Sequence, residues 1–278
     1  MKYKIVADSS SDRQKLEKAA FSAVPLHIIV GGESFTDDKD IDTDRMQEVL
    51  DQCKKPTTSS CPSPGDWVDA FEDADIVFCV AMTSALSGSY ASACTAKHIY
   101  EEEHPDRKVF VFDSLTTGPE MALIIDRLEE LVLEGKDADS IIRELEGYRK
   151  KTHLTFMMTS IKNMAKNGRV SSLLAKGISL ASIRLACEAS EEGKLSLRDK
   201  CRGQKKALEK MLNFMKEKGY NGGKVIISYH LNPEAAKEMK EKILGLFPAA
   251  KVEIHKAGAL CSYYAEKGAI LVGYETMM

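Results

Sequence analysis

A chain of 278 residues can bury a sizeable core, as one large α/β domain or as two smaller ones. Its composition, 44% apolar and 29% charged, is that of an ordinary globular protein. A net charge of −3 lacks the basic excess that marks a nucleic-acid interface, so no nucleic acid partner is expected.

Apolar runs alternate with longer amphipathic stretches along the first half. Residues 3–7 are predicted as a strand, 12–20 as a helix and 26–30 as a strand. Helices are predicted over 43–52 and 64–71, a strand over 76–81, a helix over 88–102 and a strand over 109–112. Two further helices follow at 119–134 and 138–151, the second capped by Asp137 or Asp139. This alternation argues for parallel βαβ units. The second half changes character. LTFMMTS reads as a strand, SLLAKGISLASIRLA (172–186) is apolar on one face, and EEGKLSLRD (191–199) alternates around a turn glycine as a hairpin arm does. A helix over 202–218, a strand over 224–230, a helix over 233–246 and strands over 251–255 and 269–275 complete the chain. A boundary is set near 150, giving domains at 1–150 and 151–278.

The seven cysteines are odd in number, scattered and without a CxxC pair, and the six histidines form no HExxH. Reduced thiols, no metal site and no cofactor are therefore expected. No stretch approaches the roughly 18 apolar residues of a membrane span. MKYKIVADSSSD leads straight into a strand pattern rather than a targeting segment. A cytoplasmic protein without stable membrane insertion is expected.

The chemistry gathers where strands end. ADSSSD follows the first strand, TSALSGSY follows DIVFCVAM, FDSLTTGPE follows the 109–112 strand, and TTSSCPSP precedes the helix that carries Trp67. In open parallel sheets, ligands bind beyond the carboxyl ends of the strands, near helix N-termini with free N–H groups. Ser, Thr and Asp are also preferred helix caps, worth about 1 kcal/mol each with no ligand involved. Capping does not require two or three hydroxyls per turn, and clusters on one sheet edge would face one crevice. No GxxxxGK[ST], GxGxxG or GxSxG is present, which argues against a nucleotide phosphate and a serine hydrolase. A neutral ring of hydroxyls suits a single carboxylate. A second reading remains open: an enzyme acting on a small carboxylate or acyl substrate, with Ser87 or Cys61 as nucleophile.

Taken in order, KIVADSSSD, VPLHIIVGGESFTDDKDID, TSSCPSPGDW, TSALSGSY, VFDSLTTG and KNGRVS form a set that resembles the DegV family over essentially the whole chain. These are fatty-acid-binding proteins that serve as the binding subunit of bacterial fatty acid kinase. The resemblance implies an α/β protein with a two-domain DegV-like fold: a parallel Rossmann-like sheet domain and a second, mixed-sheet α/β domain. It implies one long-chain fatty acid between them, with the hydroxyls of Ser59, Ser60, Ser63 and Ser87, the backbone at Gly88 and the phenol of Tyr264 around the carboxylate. Arg169 takes the position of the family's GGR arginine and implies presentation to a separate kinase subunit, so the protein itself would not be the catalyst. Two departures are visible. Cys61 replaces the glutamine of the TSQPS motif, and Tyr264 falls at or next to the histidine of HTGPGALG. A phenol donates a hydrogen bond but carries no positive charge. A DegV-like scaffold that binds lipid without a kinase partner is therefore a third reading.

Burying roughly 14 methylenes contributes on the order of 10 kcal/mol before entropic losses, at about 0.8 kcal/mol each. Leu173, Leu174, Ile178 and Ile183 are the expected acyl-chain wall. Ordinary core packing is the first reading of the same apolar pattern, and periodicity does not separate it from a lipid wall.

Overall fold

The run IVFCVA (Ile76–Ala81) is buried at every position, as a strand covered on both faces requires. It lies at the centre of the first half of the protein, a computed structural model that describes residues 2–171 and 182–277. In chain order this half comprises β1 (Tyr3–Asp8), β2 (Phe21–Val24), β3 (His27–Val30), β4 (Glu33–Thr36), α1 (Thr43–Gln52), β5 (Thr57–Ser60) and α2 (Pro64–Phe71). The central strand is β6, and α3 (Ser89–Glu103), β7 (Lys108–Asp113), α4 (Gly118–Leu133) and α5 (Ala138–Arg149) follow it. Strands β2-β1-β6-β7 form a four-stranded parallel sheet, and β4-β3-β5 a separate three-stranded antiparallel one.

Helix starts follow local chemistry. Ser63 and Asp66 form a capping box on α2 with Pro64 in its first turn. Asp137, not Asp139, caps α5 by accepting the Ser140 N–H at 3.0 Å.

The second half contains β8 (Thr152–Met158), α6 (Lys162–Lys166), β9 (Ile183–Ala189), β10 (Leu195–Arg202), α7 (Gln204–Glu217) and β11 (Val225–Tyr229). It ends with α8 (Pro233–Leu246), β12 (Val252–Lys256), α9 (Ala259–Ala265) and β13 (Ile270–Glu275). Its six-stranded sheet has the order β10-β9-β8-β13-β11-β12, parallel only between β11 and β12. The expected hairpin around Gly193 is β9–β10.

Two expectations fail for identifiable reasons. Residues 12–20 are not helical, because tertiary acceptors take their backbone and side-chain donors. Asp12 adopts a left-handed φ of 59°, Arg13 pairs with Asp126 at 2.7 and 3.0 Å, and the Lys18 and Ala19 N–H groups donate to Glu129 Oε1 at 2.9 and 3.0 Å. The expected strand at 26–30 exists as β3 but pairs in the antiparallel sheet; β2 takes the place beside β1.

The halves interlock. Ala259, Leu260 and Tyr263 of α9 share one apolar cluster with Ile5, Ile28, Val80 and Met121. The start of α4 rests on β13 so closely that a Cβ on Gly273 would lie 2.4 Å from Pro119 C and Glu120 N. Gly273→Ala must therefore push two backbones apart, and we expect urea denaturation to show a loss of about 1–3 kcal/mol. Gly245→Ala in α8, where nothing lies within 4 Å of the added carbon, is expected to gain roughly 0.5–1 kcal/mol in the same assay.

Candidate ligand cleft

The turn after β1 and the loop after β6 are joined by one buried carboxylate. Asp8 Oδ1 accepts the Ser10 hydroxyl at 2.5 Å and the Ser10 N–H at 3.2 Å. Its Oδ2 accepts the Met82 N–H at 2.8 Å and the Ser89 hydroxyl at 2.7 Å. Burial raises the Asp8 pKa, and these hydrogen bonds oppose that rise. Downstream, the Thr83 N–H donates to Thr116 O at 2.9 Å, and Thr83 O accepts the Leu86 and Ser87 N–H groups at 3.2 and 3.3 Å. Asp113 Oδ1 accepts from the Ser84 and Leu115 N–H groups. The hydroxyl clusters thus divide. Ser9, Ser10, Ser89 and Ser114 are buried and serve the scaffold, whereas Thr83, Ser87, Thr116 and Thr117 face a cavity.

That cavity lies between the hydroxyl-rich edge of the first sheet and a face of the second, and encloses about 820 Å³ including its open mouth. Its far wall is apolar: Leu154, Phe156 and Met158 of β8, Leu195 of β10 and Leu271 of β13, with Met164 of α6. Thr116 already donates to Glu120 at 2.5 Å and Thr117 to Ser10 O at 3.2 Å. The Ser59 and Tyr264 hydroxyls meet at 2.7 Å, so one of the two O–H groups keeps its proton for another acceptor. Ser87 Oγ accepts the Ser89 N–H at 3.2 Å, and its own O–H has no acceptor among the described residues. The Arg169 guanidinium donates through Nε to Leu86 O at 3.2 Å and through a terminal nitrogen to Asn167 O, which leaves further N–H donors. Among the described residues, Arg169 and Lys194 are the charged side chains of the wall, and no carboxylate or histidine joins them.

Tyr264 reaches Ser59 because α9 is held from a distance. The Gly258 N–H donates to Asp12 Oδ1 at 2.9 Å, and those of Ala259 and Leu260 donate to the two oxygens of Asp37 at 2.6 and 3.3 Å. Burial drives both carboxyls up, Asp12 to about 6 and Asp37 to about 7, and the proximity of Asp12 adds to the rise at Asp37. Next along the helix, Tyr263 bonds Thr57 Oγ1 at 2.8 Å and accepts from Asn167 Nδ2 at 2.9 Å. Asn167 thereby ties the end of α6, just before Arg169, to β5 and α9.

Of the residues expected at the carboxylate, Ser59, Ser87, Tyr264 and Arg169 line this one cavity. Ser60 follows Ser59 on β5 and so points to the opposite face of the strand; it does not line the cavity. Ser63 is occupied as the α2 cap, donating to Asp66 Oδ2 at 2.8 Å and accepting the Asp66 N–H at 3.3 Å. Gly88 caps α3 against Cys61, whose sulfur would lie 3.3 Å from an added Cβ. Neither Gly88 nor Cys61 is part of the described wall. Leu173, Leu174 and Ile178 lie outside the described residues, and Ile183 packs on β9 against the cluster of Phe156 and Leu185 rather than on the cavity. Lys194, Leu195 and Cys261 join the site without having been anticipated; no local motif singles them out.

A family model described as "Uncharacterised protein, DegV family" matches residues 2–276. The chain belongs to the DegV family. A DegV domain-containing protein of Streptococcus pneumoniae is 39% identical over 99% of both chains, and one from Streptococcus pyogenes serotype M1 is 40% identical over 99% of this chain and all of its own. Among solved structures, the fatty acid kinase B3 protein of Streptococcus pneumoniae, loaded with linoleic acid, superposes with a TM-score of 0.97 at 38% identity over the whole of both chains. A DegV protein of Eubacterium eligens loaded with heptadecanoic acid gives 0.96 at 39% identity over 99% of this chain and all of its own. The parallel sheet of the first half and the mixed six-stranded sheet of the second thus match the DegV two-domain fold.

Asp37 binds a proton more tightly in the folded than in the unfolded chain, so its contribution to stability falls as pH rises from about 4 through about 7. Asp37→Asn removes that dependence. The stability of the wild type relative to this variant, measured by urea denaturation at fixed pH values, is expected to shrink steadily between pH 4 and pH 8. A constant difference would show that Asp37 titrates normally.

Proposed function

We propose that this DegV protein binds one long-chain fatty acid in the cleft. The acyl chain lies on the β8, β10 and β13 wall, and the carboxylate meets Ser87, the Ser59–Tyr264 hydroxyl pair and Arg169. The observation that carries this reading is a cavity with an apolar wall whose described charged groups are both cations. An anionic head on an apolar tail is the ligand such a cavity complements. The fatty acids in the two superposed relatives support it. The tail supplies most of the affinity, at about 0.8 kcal/mol per buried methylene. The head-group contacts supply orientation.

Tyr264 donates without charge, so charge complementarity to the carboxylate comes from Arg169. The protein acts in the cytoplasm as a binding subunit, and hands its ligand to a separate kinase subunit through Arg169 at the cleft, as the relation to the fatty acid kinase B3 protein suggests. Its two functional parts are residues 1–150, which carry the hydroxyls, and 151–278, which carry most of the acyl-chain wall. A nucleophilic role for Ser87 gains no support from the cleft. Activation needs a base within hydrogen-bond reach, and no histidine or carboxylate lines the described wall.

Native mass spectrometry of the purified protein is expected to show one fatty acid per chain, identified after denaturing extraction. Removing the hydroxyl pair with Ser59→Ala and Tyr264→Phe together should weaken palmitate binding roughly fivefold, the effect of about one neutral hydrogen bond. An empty protein that also refuses added palmitate and oleate overturns the proposal.

A further inference from the structure

The hairpin turn between β9 and β10 belongs to the second sheet, yet it is wedged into the hydroxyl edge of the first. Gly193, at φ 72°, lies so close to Thr83 that an added Cβ would fall 2.1 Å from Thr83 Oγ1 and 2.8 Å from Leu115 O. The turn is braced from within: the Ser190 N–H donates to Lys194 O at 2.8 Å, the Gly193 N–H to Ser190 O at 2.9 Å, and the Lys194 N–H to Ser190 Oγ at 3.2 Å. Lys194 therefore enters the cleft wall from a fixed turn seated on the Thr83 end of the Thr83–Ser87 loop. Arg169 holds the same loop at Leu86. Two cations from different elements bracket one hydroxyl loop.

Their situations differ. Arg169 spends donors on two backbone carbonyls. Lys194 is exposed and makes no ion pair among the described residues; its neighbour Glu192, which feels its charge, is bonded to Ser190 Oγ at 2.8 Å. A carboxylate brings one negative charge and two oxygens, and Arg169 with the hydroxyls already matches both. A second cation with three free donors has no role toward that head group.

We propose that Lys194 is a specificity-determining residue for a lipid whose head carries a terminal phosphoryl group, the second negative charge and third oxygen of which it engages while Arg169 and the hydroxyls hold the rest. This rests on the fatty-acid reading of the cleft and extends it to the phosphorylated state of the same ligand class.

The test compares palmitate, hexadecyl phosphate and inorganic phosphate on the delipidated full-length protein by isothermal titration calorimetry. The wild type is expected to bind hexadecyl phosphate at least as tightly as palmitate. Lys194→Gln should lose about tenfold for hexadecyl phosphate, the worth of one charge-assisted hydrogen bond, and less than twofold for palmitate. Lys194→Arg should restore most of the loss. Equal losses for both lipids, or none for either, would overturn the assignment while leaving lipid binding intact. Binding of inorganic phosphate as tight as that of hexadecyl phosphate, and equally sensitive to Lys194→Gln, would overturn it in favour of a free anion. Failure of the wild type to bind either lipid would instead sink the fatty-acid reading on which it rests.

Discussion

Helix α9 begins with three N–H groups that need acceptors, and nothing in its own sequence supplies them. Gly258 has no side chain to cap with, and the helix is seven residues long. The acceptors come from Asp12 and Asp37, more than 200 residues earlier in the chain. Much of the cleft depends on this arrangement. The two carboxylates place α9 inside the first apolar cluster, which brings Tyr264 against Ser59 and Tyr263 against Thr57 and Asn167. The cost is visible in the raised pKa of both carboxyls, which are deprived of water and sit close to each other. A helix N-terminus is a favourable neighbour for negative charge, and that offsets part of the penalty.

The same economy explains the serine-rich strand ends. Asp8 uses all of its accepting capacity on Ser10, Met82 and Ser89, which locks the ends of β1 and β6 to the start of α3. That lock fixes the loop from which Thr83 and Ser87 reach the cavity. Scaffold and cavity lining are therefore drawn from one cluster: Ser10 and Ser89 are spent on Asp8, whereas the Ser87 hydroxyl faces the cavity with no acceptor among the described residues. The choice between capping and ligand capture, posed by TSALSGSY as a stretch, resolves residue by residue.

Much of this was legible in the sequence. Continuous apolar runs located β1, β6 and β7, and Asp137 was one of two residues expected to cap α5, because those signals act within a few residues; Ser63, expected at the carboxylate, proved to be the α2 cap instead. What was not legible depends on contacts far apart in the chain. Residues 12–20 have a helical composition but spend their donors on Glu129 and Asp126, so the helix never forms. Helix α9 is too short for periodicity to show, and its cap is remote. Ser59 and Ser60 look equivalent in TTSSCPSP; only the pleat of β5 separates the one that reaches Tyr264 from the one that does not. Lys194 had no motif, since its position comes from a glycine turn seated on another sheet.

The described cleft wall carries hydroxyls and two cations and neither a carboxylate nor a histidine, a set suited to holding and orienting an anion. The carboxyls whose pKa is raised lie outside that described wall. Asp12 and Asp37 are committed to α9, and Glu120, raised to about 7 by burial, is committed to Thr116 and Thr152. His230, held neutral with its pKa lowered to about 4 by burial, bonds Gln47. Each of these raised carboxyls is committed to hydrogen bonds of the scaffold. On the proposed reading, phosphorylation of the head group would need a phosphoryl donor from a separate component, as the relation to the fatty acid kinase B3 protein implies. In that reading the chain's own contribution is the apolar wall together with the hydroxyls and cations that line the described cleft.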